Sequence, residues 1–304
     1  YIPELKECLG YDPASDLTSD ELSEMYLDNL KAGTPWPVKV ANIRLMLKTL
    51  EGAGKEEQVL HVATHLGNLV KVSETVVVRR RAGEALVSII DKMPLSQRNE
   101  IAVELGKGLE IGDYQFSKYI PDYLGVIMLH LPPRELDELI ADLEKFLGAT
   151  NGQVAAAVLH TFGIVIENYN IYEGLFGHSE TSEARMARKY KLVSLIIRGF
   201  ANYNDIISQE ALWTIGMNIF GSEHLSLDEK YDIFCHCGKR ILTLYENRRE
   251  GELDFFNNAA VLKHIYRFIC EYELEIGRFN IEEIQKIAFF PGTFDPFSLS
   301  HKAI

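Results

Sequence analysis

The sequence predicts a mainly α-helical protein. A HEAT-like array of paired helices gives way, at the C-terminal end, to the first strand and small-residue loop of an α/β domain. Three observations predict this. From Val38 to about Tyr272, apolar residues recur at helical spacing, for example Ala85, Leu86, Ile89 and Ile90, or Leu136, Leu139, Ile140 and Leu143. Three segments, opening at Pro94, Pro132 and Ser226, each reach an acid and then an aliphatic at the same offset: Glu100-Ile101, Glu138-Leu139 and Asp232-Ile233. Beyond Ile287 the helical period stops, and a short apolar run leads into a Gly/Pro turn.

Residues 1–35 read as an N-terminal helical leader. Residues 1–16 are loose, punctuated by Pro3, Gly10 and Pro13. A helix start follows, in which Thr18 caps, Glu21 completes the capping box, and Leu17 with Leu22 forms a hydrophobic staple. That helix is expected to run to about Lys31 and to stop at Gly33, before Thr34-Pro35-Trp36-Pro37 turns the chain.

Residues 36–278 form the repeat domain. The helices pair as 38–50 with 56–71, 76–92 with 95–109, and 116–130 with 133–147, and 152–168 has an interrupted partner. The pairing closes with 205–220 and 226–245, and a last helix covers about 254–275. Gly174, Gly177 and the polar run His178–Glu183 are the expected loop that breaks the period. The first interval, 132 − 94 = 38 residues, suits a two-helix unit; the second, 226 − 132 = 94, is about two and a half such units. Lys107, Lys145 and Lys239 coincide under this alignment, as do Leu109, Leu147 and Ile241. Such an array buries a continuous core by stacking neighbours and offers a concave face to a protein partner.

Composition narrows the function classes. The chain has 304 residues, 47% of them hydrophobic and 25% charged, which is ordinary for a folded protein. A formal net charge of −13 argues against a broad nucleic-acid or anionic-membrane surface. Four scattered cysteines (Cys8, Cys235, Cys237, Cys270) make no disulfide framework, so a reducing, cytoplasmic setting is expected. No apolar run approaches the ~20 residues a membrane-spanning helix needs. The first residue is Tyr1 rather than Met, so the natural N-terminus is expected upstream.

Several constellations have a functional and a plainer reading. His61 and His65 share a helix face and could hold a metal, but no third ligand is apparent, so a plain helical surface is favoured. Cys235-His236-Cys237 looks metal-like, yet residues two apart on a helix do not converge, and buried thiols are expected. Arg79-Arg80-Arg81 stands out as a basic cluster that could receive phosphate or an acidic partner; a solvated face paired with nearby acids is the plainer reading. Trp36 and Trp213 are expected to pack in the core or between repeats rather than to form a ligand platform.

The stretch Phe289-Phe290-Pro291-Gly292-Thr293-Phe294-Asp295-Pro296-Phe297-Ser298-Leu299-Ser300-His301 has the layout that α/β folds use for phosphate. An apolar strand feeds a small-residue loop whose N–H groups, with the following helix start, point at the anion. It resembles the signature loop of the nucleotidylyltransferase superfamily, most closely that of bacterial nicotinate-nucleotide adenylyltransferases. The family pattern runs Gly, Ser/Thr, Phe, Asp, Pro, any residue, His or Thr, any residue, Gly, His. Gly292, Thr293, Phe294, Asp295, Pro296 and His301 agree in register, while Ser298 stands in place of His or Thr and Ser300 in place of Gly.

The resemblance covers about the last twenty residues. It implies transfer of AMP from ATP to a mononucleotide, nicotinate mononucleotide first, assisted by Mg²⁺ and releasing pyrophosphate. It implies catalytic roles for His301 and Ser298 at the ATP phosphates, and nucleotide-binding roles for Gly292, Thr293, Phe294 and Ser300. Because Ile304 follows so soon, residues 279–304 are expected to be the start of a truncated nucleotidylyltransferase domain, inactive as a fragment. The alternative is a helical-repeat interaction scaffold whose nucleotidylyltransferase domain is degenerate or regulatory.

Overall fold

A computed structural model describes residues 18–51, 55–111, 114–200, 202–235, 238 and 255–279. Among these residues the chain is mainly helical and contains no strand. The expected strand at 287–290 and the loop at 292–301 lie outside the described residues.

The helices, in order, are α1 (Ser19–Leu30), α2 (Trp36–Thr49), α3 (Glu56–Val72), α4 (Val76–Ile89), α5 (Leu95–Gly108), the short α6 (Tyr114–Ser117), α7 (Ile120–Met128) and α8 (Pro133–Lys145). They continue with α9 (Gly152–Glu167), α10 (Tyr169–Phe176), α11 (Ser182–Phe200), α12 (Asp205–Thr214), α13 (227–235) and α14 (Phe255–Glu275). A π-helical stretch, Ile215–Phe220, extends α12.

Local chemistry sets the ends. At α1 the Thr18 hydroxyl accepts from the Glu21 amide at 3.3 Å, and the Thr18 amide donates to the Glu21 carboxylate at 2.7 Å. These bonds hold the Glu21 carboxyl below the usual range. Gly33 does not act as a left-handed stop, contrary to expectation; Lys31 ends α1 in an extended conformation (φ −64°, ψ 125°) and pairs with Asp28 at 2.7 Å. The repeat starts behave alike. Pro94 and Pro132 cap α5 and α8 in extended conformation. Ser226 forms a capping box with Glu229, its amide donating to that carboxylate at 3.0 Å. An equivalent acid–lysine pair closes the last turn of both α5 and α8: Lys107 with Glu104 and Lys145 with Asp142, both at 2.6 Å.

Three boundaries differ from expectation. The helix expected over 116–130 is broken after Ser117, because Pro121 lacks an amide to continue the ladder and sits instead in the first turn of α7. The loop expected to include Gly174 is narrower: Gly174 lies inside α10, which aromatic contacts hold together (Tyr169 to Tyr172, 5.2 Å; Tyr172 to Phe176, 5.5 Å). Trp36 is half exposed rather than packed between repeats, since it opens α2 between two prolines; Trp213 packs against the core.

The helices form two rows. In the first, α2, α4, α7, α9 and α12 touch in succession, and the π-helical stretch carries the row to α14. In the second, α3 touches α5 and α5 touches α8. Ion pairs extend this row, linking α8 to α11 (Asp137 with Arg188, 2.6 Å; Glu144 with Lys191, 3.1 Å) and α11 to α13 (Lys189 with Glu229, 2.7 Å). Close approach within the first row depends on glycine. A Cβ at Gly125 would lie 2.6 Å from Ile164, and one at Gly216 would lie 2.6 Å from Val261. One continuous apolar core runs from Leu22 to Phe279.

Basic side chains close the turns by binding the carbonyls a helix leaves unsatisfied at its C-terminus. Buried Arg79 donates from α4 to the Ser73 carbonyl, and to that of Val70 at 3.2 Å. Arg98 donates to the Asp91 and Met93 carbonyls (3.1 and 2.9 Å) and across to His130 (3.3 Å). Lys230, at the position equivalent to Arg98 when Ser226 is aligned on Pro94, donates to the Ser222 carbonyl at 2.6 Å.

Candidate functional site

The residues expected to carry chemistry, Gly292, Thr293, Phe294, Ser298, Ser300 and His301, lie outside the described residues. Among the described residues, the densest polar constellation surrounds α11. The run Arg185-Met186-Ala187-Arg188-Lys189-Tyr190-Lys191 makes this helix strongly basic, a second basic cluster beside Arg79–Arg81.

Helical spacing sends these cations to different neighbours. Arg188 is buried and makes two forked pairs. Its Nε and Nη2 donate to Asp137 (2.6 and 3.0 Å), and its Nη1 and Nη2 donate to Glu180 (2.7 and 2.9 Å). Nη1 also donates to the Tyr169 hydroxyl at 3.0 Å, and the guanidinium lies 5.1 Å from the Tyr172 ring centroid. Burial opposes its charge, but the bonds to Glu180, Asp137 and Tyr169 outweigh this and strengthen it. The Arg188 hydrogen bonds hold Glu180 below the usual carboxylate range, whereas burial pushes the Tyr169 phenol up to about 12. Lys189 turns the other way, to Glu173 (3.1 Å) and Glu229 (2.7 Å), above the Tyr169 ring. Arg185 donates to the carbonyls of Gly177 and Glu180.

Beside this network, residues of α9, α10, α11 and α13 line a cleft of about 170 Å³. Its floor is Ile166, Val193, Leu225 and Ile233, and its rim carries Glu173, Lys189, Glu229 and Asp232. The ammonium of Lys189 already pairs with two of the rim carboxylates. This arrangement holds three helices in register through charge.

A second charged cluster spans the first row. His160 on α9 bonds Glu210 of α12 through Nδ1 (2.9 Å) and Asp122 of α7 through Nε2 (3.0 Å). Burial disfavours the imidazolium, but both carboxylates outweigh it and hold its pKa up to about 10. A proton held so firmly makes His160 an ionic tie between three helices rather than a general base near neutral pH.

The remaining candidates resolve individually. His61 is exposed while His65 is buried and stacked on Tyr26 (4.8 Å between centroids), where burial lowers its pKa to about 4. No group of three His, Cys, Asp or Glu side chains among the described residues could hold a metal ion. Cys235 is exposed rather than buried, because Ile233 and Phe234 take the inward positions of α13; His236 and Cys237 lie outside the described residues. The arginine cluster divides. Arg79 closes a turn from inside, and Arg80 and Arg81 are exposed, with Arg81 paired to Glu84 at 2.7 Å.

Sequence reasoning missed the α11 network. The run 185–191 was a visible signal of a charged helix, but its partners sit as far off as Asp137, 51 residues away. Among the described residues, no single helix is long and apolar enough to cross a membrane. No protein-family model matches the chain, and no curated protein matches it.

Proposed function

We propose that this chain is the HEAT-like helical region of a nucleotidylyltransferase whose catalytic domain opens within residues 279–304. The reaction is transfer of AMP from ATP to a mononucleotide, with nicotinate mononucleotide as the acceptor and pyrophosphate as the leaving group. One observation carries the chemistry: the ordered agreement of Gly292, Thr293, Phe294, Asp295, Pro296 and His301 with the superfamily loop. The two-row succession of helices and the recurring starts at Pro94, Pro132 and Ser226 support the HEAT-like half of the reading.

In this reading Gly292 and Thr293 offer backbone N–H groups to phosphate oxygens. His301 meets the triphosphate, and the Ser298 hydroxyl donates beside it, where negative charge grows as pyrophosphate leaves. Phe294 and Ser300 border the nucleotide. Mg²⁺, when bound with ATP, supplies neutralisation of phosphate charge. In this reading the helical array contributes positioning and takes no part in the chemistry.

The second reading is a protein-interaction scaffold with a degenerate or regulatory nucleotidylyltransferase domain. Ser298 and Ser300 favour it, since both depart from the family pattern. The test is pyrophosphate release by the complete gene product with ATP, Mg²⁺ and a panel of mononucleotides. Turnover with one acceptor is expected; a folded protein inactive with every acceptor would leave the scaffold reading.

A further inference from the structure

The cleft beside α11 has the size and chemistry of a small-molecule site. A closed apolar cavity of about 150 Å³ holds a benzene ring, and this cleft offers about 170 Å³. Its floor residues, Ile166, Val193, Leu225 and Ile233, are themselves nearly fully buried, so an apolar group that enters meets packed aliphatic side chains.

The rim is polar, and its charges do not balance. Three carboxylates (Glu173, Glu229 and Asp232) and two cations (Arg185 and Lys189) line the cleft. Lys189 reaches Glu173 at 3.1 Å and Glu229 at 2.7 Å, so one ammonium is shared between two carboxylates. Arg185 directs its Nη1 to the carbonyls of Gly177 and Glu180, at 2.6 and 2.8 Å. Neighbouring cations do not reverse the count. Arg188 meets two carboxylates, Asp137 and Glu180. Lys230 donates to the Ser222 carbonyl and lies in the field of Glu271, Arg267 and Glu223. The side chain of Tyr190 lines the same cleft, and its hydroxyl is 3.4 Å from Asp232. Burial, then Asp232 and Glu229, raise that phenol's pKa, which places surplus negative charge at the cleft.

We propose that the cleft binds a small organic cation, a primary amine on an apolar body of about six carbons. The apolar body lies on Val193 and the rest of the aliphatic floor. The ammonium joins Lys189 between Glu173 and Glu229. Each carboxylate accepts at about four positions, so a second ammonium finds acceptors without displacing the lysine. The same surplus of negative charge repels an analogue that carries a carboxylate.

Ligand-observed NMR titration of the full chain near neutral pH tests this with three isosteres: benzylamine, benzyl alcohol and benzoate. Saturable binding of benzylamine is expected, with the alcohol about fivefold weaker and benzoate not bound. Glu173→Gln should weaken the amine about threefold and leave the alcohol unchanged. Val193→Phe fills the floor and should abolish binding of both. Glu173 is exposed, so its variant carries the test if the filled cleft does not fold. No saturable binding of benzylamine overturns the proposal. So does benzoate binding as well as the amine, or amine binding that neither substitution alters. Binding of a lysine-bearing peptide with none of the free amine also overturns it, since the cleft would then seat a partner's side chain.

Discussion

Truncating Arg188 would leave the Glu180 carboxylate buried beside two tyrosines with its forked partner gone. Breaking a buried pair in this way costs about 3 kcal/mol, so Arg188→Ala should lower the denaturant midpoint by that equivalent. Arg188→Lys keeps the charge but loses the fork, and should fall between the two. Unchanged stability of the alanine variant would show that the network contributes nothing net.

The two perturbed histidines predict the pH dependence. His160 has a folded-state pKa of about 10, above its unfolded value of about 6.5. Its contribution is therefore complete below pH 6.5 and is lost as pH rises toward 10. His65, at about 4, is depressed; it favours folding above pH 6.5, and this is lost as pH falls from there toward 4. Unfolding free energy should therefore peak near neutral pH. His160→Gln should flatten the alkaline limb and His65→Gln the acid limb; limbs that both variants leave unaltered would remove these residues as the cause.

At the scale of the helix, glycine sets how closely the first row packs. Gly125 lies inside α7, where alanine would gain up to about 1 kcal/mol of intrinsic helix stability. A Cβ there meets Ile164 at 2.6 Å and the Thr161 carbonyl at 3.1 Å, neither of them the end of a flexible side chain. Overpacking of this kind costs about 1–3 kcal/mol, so Gly125→Ala should destabilise despite its better propensity. A calorimetric melt at or above the wild-type temperature would contradict that spacing.

Elements were legible where their signals are local. The capping box at Thr18 and the helix starts at Pro94, Pro132 and Ser226 depend on residues three to seven apart, and the structure has them. The 38-residue interval between Pro94 and Pro132 reappears as equivalent ion pairs at Lys107 and Lys145. What was not legible depends on distant partners or on orientation. Periodicity could not show that Arg79 points inward, that His160 meets carboxylates 38 and 50 residues away, or that Trp36 is half exposed. The break before Pro121 was readable in principle, since proline belongs in a first turn, but a continuous apolar pattern hid it.

For the whole molecule, the decisive feature is how the helical stack hands over to its C-terminal segment. After α14, Gly277 adopts φ 135°, a conformation other residues rarely take, and the chain turns so that Phe279 is buried. Its ring meets Tyr231, Phe234, Phe268 and Tyr272 edge-on at 5.2 to 5.6 Å. The chain is thus anchored 292 − 279 = 13 residues before Gly292. Phe279→Ala should cost about 3 kcal/mol locally and accelerate hydrogen exchange in α14; unaltered exchange would mean the anchor is dispensable.

In the proposed division of labour the helices would position and the loop at 292–301 would react. Pyrophosphate release by the complete gene product, compared between His301→Ala and Arg188→Ala below both melting temperatures, tests it most directly. The claim predicts a fall of about a hundredfold or more in turnover for His301→Ala, within the range of a lost charge-stabilising group, and near wild-type turnover for Arg188→Ala. Equal activity of wild type and His301→Ala would contradict it.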